Sequence, residues 1–510
     1  MNRNYRIVFW VLLTFLAANA ILLFSVRLLP FVDLPNHLAE ATIYKFREHA
    51  GNNLAAYYRA VPWYFPNTFY PEFCSLFPDV EIGNKCYYLL AFSLLQVTVY
   101  LIIRELGGNP WYGLLAVLMT YNYNVSYGFS GFSLSIPALF FFFYILLREV
   151  RNGGRAWQFG AFLLLVLIFL IHAQMGFFCL LLFVCMMYWR HRDSARALLF
   201  SLLRILPLLL LMLLWWGRRV PGPKEGSTLA FLYHYFLSSY LQGIYLRFRL
   251  PFFDNFQLHA GRTGLLIATL FFISILIPLL IYRAWKRPQG DSEARRNLSY
   301  PCLLFMLCLA CYLLLPDYLP GEQIIYQRFS PVLLTSLIIL GSVLLQKIKM
   351  PWLPVYSFII MILYLGSWSE YIISFNRETH EFTPDLFRGL DNQRRMGGLI
   401  YNYQYRGRPV YIHYADYFIV WEKGIAATKL IDYRFGVIRR GRLGGLIPYY
   451  EEWVGKSYSR EPAYDTSLHY LLVRGAAPMQ PDSNLMHFAP LKRSGIWQIY
   501  QNNLAARLNP

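Results

Sequence analysis

Long apolar runs alternate with short polar punctuation over most of the chain. Eleven runs reach or approach the roughly 20 apolar residues that a spanning helix needs. They lie at 7–26, 86–103, 110–127, 132–147, 157–171, 173–189, 197–216, 263–283, 300–316, 329–346 and 353–373. Only the polar groups at His172 and Gln174 separate the fifth from the sixth. Beyond 373 the texture changes: apolar runs shorten and charges intersperse. Arg408–Tyr414 (RPVYIHY), His469–Arg474 (HYLLVR) and Gly495–Gln501 (GIWQIYQ) read as strands. Pro384–Asn402 reads as a helix, with Pro384 near its start and Asp385 in the first turn. The expected fold class is an α-helical polytopic membrane protein of about 11 transmembrane helices with a small C-terminal extracytoplasmic α/β domain. Residues 1–373 form the membrane module, with outer loops at 27–85 and 217–262, and 374–510 form the α/β domain.

Composition agrees with a second solvent. Of 510 residues, 57% are hydrophobic and 15% charged, against roughly 25% charged in a soluble domain. That excludes a disordered chain and a single large soluble enzyme. A net charge of +19 would suggest nucleic acid on a soluble protein. Here the basic residues follow alternate spans: Arg3 and Arg6, then Arg104, then Arg148, Arg151 and Arg155, then Arg190, Arg192 and Arg196. Arg283, Lys286, Arg287, Arg295 and Arg296 come next, then Lys347 and Lys349. All fall on one side of eleven spans. This predicts a multi-pass protein of the cell (inner) membrane with a cytoplasmic N-terminus and an extracytoplasmic tail, and nucleic acid is not needed as a partner. Ala17–Ala20 has small residues at cleavage-site spacing, but the apolar run continues through Ile21–Val26, so a retained helix is expected. No G-x-x-x-x-G-K-[ST] occurs. Five cysteines lie in apolar runs. Cys74 and Cys86, near the first outer loop, are candidates for a disulfide if that loop is extracytoplasmic.

The first outer loop carries the densest candidate chemistry. Asp33, His37 and Glu40 recur at i, i+4 and i+7 and share one helix face. The helix is expected to run to about His49 along the membrane interface, with Leu38, Ala41, Tyr44 and Phe46 available for lipid. Trp63, Tyr64, Phe65, Phe69 and Tyr70 suit the same boundary. Asp33 has a second reading as a helix N-cap, since Pro follows in the first turn. Elsewhere each polar position has two readings. His172 and Gln174 are functional membrane groups or parts of a tight turn. Asn122, Tyr123 and Asn124 line a sugar site or cap a helix. His234, Tyr235, Arg247, Arg249, Asp254 and His259 populate the second outer loop, where some complete an acceptor groove. Asp317 and Glu322 precede Arg328 and either pair with it or supply a second acid. Arg439, Arg440 and Arg442, among glycines, contact phosphates or an anionic polymer, or form a solvated loop.

At these residues the chain resembles the GT-C superfamily of integral-membrane glycosyltransferases. Asp33 in F-V-D-L-P-N-H-L resembles the superfamily's loop aspartate. Tyr127-Gly-Phe-Ser-Gly-Phe-Ser-Leu-Ser and Gln327-Arg328-Phe329 resemble segments of bacterial members. The similarity is a topology pattern over roughly 1–375. It implies transfer of a sugar, hexose or pentose, from a polyprenyl-phosphate carrier to an extracytoplasmic glycan, lipid or protein acceptor. Asp33 is then the general base, with His37 or Glu40 assisting. Many members carry two adjacent acids where this chain has Asp33 alone. No cofactor is therefore expected, and a divalent metal is left unsupported. The departing lipid phosphate needs a cation. Arg328, at the outer end of a span, is placed for it, or else snorkels at the interface. Gln327, His172, Gln174, Asn122 and Asn124 complete the expected substrate-binding set. Two other functions compete: a transporter or flippase for a lipid-linked glycan, and a non-catalytic membrane assembly subunit. A transporter predicts internal repeats and midplane polar groups. No clear repeat is seen, and the polar residues cluster toward the outer side. A scaffold has no need of an acid-bearing helix directly after the first span.

Overall fold

The computed structural model describes residues 3–218, 240–251, 255, 262–284, 292–319, 322–346, 348, 350–428, 431, 436–448, 466–475 and 487–504. Among them, seven helices are long and apolar enough to cross a membrane: Arg3–Ser25, Val80–Leu106, Ser130–Asn152, Ala173–His191, Arg296–Leu314, Gln327–Leu344 and Leu353–Glu378. Ala195–Leu203 and Leu206–Arg218 form an eighth if their 48° bend lies within one span. The bend falls just before Pro207, which has no N–H to donate and whose ring crowds the carbonyl four residues earlier, at Leu203 where the first helix ends. The chain is a multi-pass membrane protein.

The expected eleven spans are not all continuous helices. Arg155–Ile171 is apolar but has only 17 residues. The run at 110–127 is broken into a short helix at Pro110–Gly113, a 3-10 segment at Leu114–Met119 and a helix at Tyr123–Tyr127. Asparagine side chains bond the backbone at the start of this run and at its second break. Asn109 Oδ1 accepts the N–H groups of Trp111 and Tyr112, and Asn122 Oδ1 accepts those of Asn124 and Val125. Such local bonds compete with the helix ladder. The whole 3-10 segment is buried, so its irregular backbone is screened from lipid by protein, the condition under which a membrane tolerates it.

The chain divides into two compact units. The first, Met1–Ser25, Tyr88–Ser126 and Gly131–Glu370, holds most of the apolar helices. Its most buried spans are Ser130–Asn152 and Gln327–Leu344. Close packing against the latter explains Gly341, where a Cβ would come within 2.6 Å of the Tyr112 ring.

The second unit joins Val26–Tyr87, Tyr127–Ser130 and Tyr371–Pro510. Its centre is a five-stranded mixed sheet in the order Ile425–Ala426, Arg395–Ile400, Tyr470–Arg474, Trp497–Asn502, Phe488–Ser494. The first three strands are parallel, and the last two form an antiparallel hairpin. Two expected strands, around 470–474 and 497–501, are present. Arg408–Tyr414 is not a strand. It follows a tight turn in which Arg406 and Gly407 both have positive φ, and it leads into a 3-10 turn at Tyr414–Asp416. The helix expected over Pro384–Asn402 is also absent. Only Pro384–Leu386 is helical, as 3-10, and Arg395–Ile400 is a strand buried on both faces. Two glycines disfavour a helix there. Phe382, Tyr414, Tyr417, Trp421 and Trp497 pack ring to ring as the unit's aromatic core.

The helix bearing His37 and Glu40 spans Leu34–Phe46. It is not an interfacial helix with a lipid-facing stripe. Leu38 and Ala41 are buried, and every residue from Leu38 to Ile43 is covered, by Phe69–Ser75 and Tyr417–Glu422 among others. Tyr44 donates to Glu72 at 3.0 Å, and Phe46 lies under the ammonium groups of Lys45 and Lys423. Cys74 and Cys86 are free thiols.

Candidate functional site

Asp33 opens its helix but does not cap it. Its backbone occupies the N-cap position, yet the carboxylate makes no capping hydrogen bond. Pro35 in the first turn removes one N–H that such a cap would serve. The backbone is pinned instead: Asp33 N–H donates to Tyr127 O at 3.0 Å, and Asp33 O accepts from His37 N–H at 3.2 Å. The Tyr127 segment can approach this closely only because Gly128 follows it. Gly128 has φ +77°, and a Cβ there would lie 2.9 Å from both Asp33 N and Leu34 N. The carboxylate is then free to point elsewhere. Asp33 Oδ1 lies 3.4 Å from His413 Nε2, with the Asp33 side chain 29% exposed and the His413 side chain 3%. One partner is wet and the other dry.

The other two residues of the face pair with each other. His37 Nδ1 lies 2.8 Å from Glu40 Oε2, and the His37 ring packs edge-on to Tyr70. Deeper in the same unit, the Thr428 hydroxyl lies 2.8 Å from Asn36 Oδ1 and 3.1 Å from Asp416 Oδ2. His413, Asp416 and Thr428 were not among the residues singled out from sequence. His413 was hidden inside an apparent strand, and nothing local marks a residue whose partner lies hundreds of positions away. Gly128 was visible in Y-G-F-S-G-F-S, but its purpose was not.

The remaining expected residues belong to the first unit. Arg328 sits in a 3-10 turn at Gln327–Phe329 and is buried. The Phe132 ring lies 5.2 Å from its guanidinium carbon and 4.1 Å from the His172 ring centroid. Asn124 Nδ2 donates to Arg328 O at 2.9 Å. His172 Nδ1, Gln174 Nε2 and Asn124 Oδ1 are buried with no hydrogen-bond partner among the described residues. A buried polar atom left unmatched is costly and demands an explanation. Gln327 donates to Asp317. Glu322 lies in a two-residue strand beside Tyr318–Leu319. Asn122 spends its amide on Met119 O and on the turn that follows. Just before Arg328, Ile324 has φ +58°, a strained state for a β-branched residue. Arg247 is buried, donates to Tyr312 O and Leu315 O at 2.6 and 2.8 Å, and stacks on Tyr326. It thus closes the end of a helix. His234, Tyr235, Asp254 and His259 lie outside the described residues. Arg440 donates to Gly444 O and Ile447 O, while Arg439 faces Arg59 across a two-stranded sheet. Among the described residues no three His, Cys, Asp or Glu side chains form a metal-binding group.

No protein-family model and no curated protein matches the chain. Solved structures do. ArnT from Cupriavidus metallidurans bound to undecaprenyl phosphate aligns with a TM-score of 0.52 at 11% identity, covering 98% of this chain and 99% of that one. The apo form of the same ArnT gives 0.43 at 12% identity over 98% and 99%. Mycobacterial arabinofuranosyltransferase AftD gives 0.47 at 13% identity, over 96% of this chain but 41% of its own length. At such identities the likeness speaks for fold. Essentially the whole chain follows the course of the undecaprenyl-phosphate-bound ArnT, and the two share a fold.

Proposed function

We propose that this protein is an integral-membrane glycosyltransferase that moves a sugar from a polyprenyl-phosphate carrier to an acceptor hydroxyl on the extracytoplasmic face, with Asp33 as general base. One observation carries the reading: the Asp33 carboxylate heads a helix without capping it, and it stays partly exposed. A carboxylate spent on capping would have its lone pairs committed to backbone N–H groups. This one is held by its backbone and open at its side chain, as a base that must meet a hydroxyl within hydrogen-bond reach requires.

In the reaction the acceptor oxygen attacks the anomeric carbon and its proton passes to Asp33. The bond from that carbon to the carrier phosphate breaks, and the electron pair leaves with the phosphate. Negative charge builds on that phosphate and calls for oriented donors. In the first unit Arg328 is the candidate. Its fork can grip two phosphate oxygens, and burial strengthens such a contact. His172 and Gln174, with buried polar atoms unmatched, and Asn124, which holds the Arg328 backbone, support a polar ligand there. His37 and Glu40, already paired with each other, take a supporting part in holding the helix. The fold shared with an ArnT bound to undecaprenyl phosphate supports a polyprenyl-phosphate donor.

The test is Asp33→Asn in the full chain, reconstituted in proteoliposomes and supplied with radiolabelled undecaprenyl-phosphate sugars and native membrane lipids as acceptors. Loss of transfer with an unchanged melting profile is the expected result. A well-folded variant that transfers sugar at the wild-type rate removes Asp33 as base.

A further inference from the structure

Asp33 and His413 are separated by most of the chain, yet Asp33 Oδ1 and His413 Nε2 lie 3.4 Å apart within one compact unit. Neither backbone is free to wander. Asp33 is tied through its N–H to Tyr127 and through its carbonyl to His37. His413 heads the Tyr414–Asp416 turn, with its carbonyl accepting Asp416 N–H at 3.0 Å. The residues around it are clamped by stacking. Tyr414 lies flat against Trp497, and Tyr411 lies on Phe375 and under the Arg474 guanidinium. The imidazole is therefore delivered to the carboxylate by a rigid support.

We infer that His413 is a positioning residue for Asp33: its Nε2–H donates to Asp33 Oδ1, fixes the carboxylate plane, and leaves Oδ2 for the acceptor hydroxyl. This rests on the reading of Asp33 as base. The physical case has two parts. The Asp33 carboxylate makes no capping bond, and among the described residues His413 is the side chain that stands beside it to set its orientation; a base must be oriented to work. The 3.4 Å gap is slightly longer than a formed bond of about 2.7–3.2 Å, as catalytic hydrogen bonds commonly are before substrate binds. The titratable neighbours on the same elements are otherwise engaged: His37 with Glu40 at 2.8 Å, and Asp416 with Thr428 at 3.1 Å. Tyr127, whose carbonyl holds Asp33, has Arg408 5.5 Å from its ring. The role is that of an orienting partner, whose loss typically lowers activity while leaving the reacting group in place.

Two variants and two readouts test it on the full chain in nanodiscs. His413→Phe keeps an aromatic ring and removes the donor, whereas His413→Gln keeps a donor. The first readout needs no substrate: isotope-edited infrared spectra of the Asp33 carboxylate stretching bands, with Asp33→Asn as the blank. His413→Phe should shift these bands, because a hydrogen bond to one oxygen is lost, and His413→Gln should leave them close to wild type. The second readout is transfer from radiolabelled undecaprenyl-phosphate sugars to native membrane lipids. There His413→Phe should lower kcat by about 10–100-fold, with donor KM little changed. His413→Gln should recover most of the rate. Unmoved Asp33 bands in His413→Phe overturn the inference. So does a rate loss that His413→Gln fails to rescue, or one that merely tracks a lowered melting temperature. If Asp33→Asn still transfers sugar while the band shift is seen, the pairing stands and the base assignment falls. If Asp33→Asn is dead and His413→Phe behaves as wild type in both readouts, the base stands and the inference falls.

Discussion

Asp33 and Arg328 each stand at the end of an apolar run, one in each compact unit, and they are treated in opposite ways. Asp33 is anchored by its main chain, and its side chain stays in partial contact with water. Arg328 is buried, with Phe132 beside its guanidinium and the amide of Asn124 on its carbonyl. The difference matches the two tasks proposed for them. A general base must be reached by a mobile hydroxyl, so it gains from a fixed backbone and an open carboxylate. A group that holds a phosphate gains from desolvation, because charge-assisted bonds strengthen as water is excluded. A snorkelling arginine would instead extend its head group to water.

The largest expected effect breaks the comparison at Asp33. Asp33→Asn should lower turnover by about 10²–10⁴-fold. Stability should change little, within about 0.5 kcal/mol, and Asp33→Ala should be equally stable, because no capping bond is lost. Thermal unfolding of both variants checks this. An Ala variant weaker than Asn by about 1 kcal/mol would mean that the carboxylate caps after all.

Arg328→Ala breaks the other side. Loss of a charge-assisted contact to phosphate costs on the order of 1.5–3 kcal/mol, so kcat/KM for the lipid donor should fall by about 10–150-fold. Arg328→Lys should recover only part, since an ammonium cannot reproduce the fork. Steady-state kinetics with varied donor decide it, and unchanged values return Arg328 to the snorkelling class.

Gly128→Ala sharpens the Asp33 side without touching the carboxylate. The added Cβ would press on two backbone nitrogens at 2.9 Å in a left-handed conformation, a strain of about 1–3 kcal/mol. Both melting temperature and turnover should fall, because the Asp33 backbone must shift. Full activity in this variant would show that Asp33 needs no such pinning.

The smallest effect separates the sheet from the site. Burial, reinforced by the Arg395 and Arg394 charges, lowers the His469 pKa to about 4. An unfolded histidine titrates near about 6.5, so between those values the unfolded chain binds the proton more strongly. Stability of the sheet is then fully present above about pH 6.5 and declines toward about pH 4. Amide exchange in Arg395–Ile400 and Tyr470–Arg474, corrected for intrinsic rate, should rise over that window. His469→Gln should flatten the dependence. Exchange that stays flat across that window would overturn this.

Several features were legible before any coordinates because they depend on short-range physics. Apolar run length marks seven of the spans, since a bilayer demands about 20 such residues. The Tyr470–Arg474 and Trp497–Asn502 strands were marked by β-branched and aromatic content. The broken segment at 110–127 was not legible, because its apolar content is that of a span. Arg395–Ile400 was misread as helix, since a central strand buried on both faces shows no alternation. The buried state of the Leu34–Phe46 helix was misread as an interfacial one, because lipid and protein neighbours ask for the same apolar side chains.

The sequence by itself determined that this is a membrane chain with a polar tail, that Asp33, His37 and Glu40 share a helix face, and that Arg328 ends an apolar run. All follow from spacing and local transfer free energy. Only the tertiary structure decided that Asp33 does not cap its helix, that Gly128 lets Tyr127 hold it, and that His413 stands beside its carboxylate. Each of these depends on segments brought together by the packing of the whole unit. No local pattern encodes a contact whose partner is chosen by the rest of the fold.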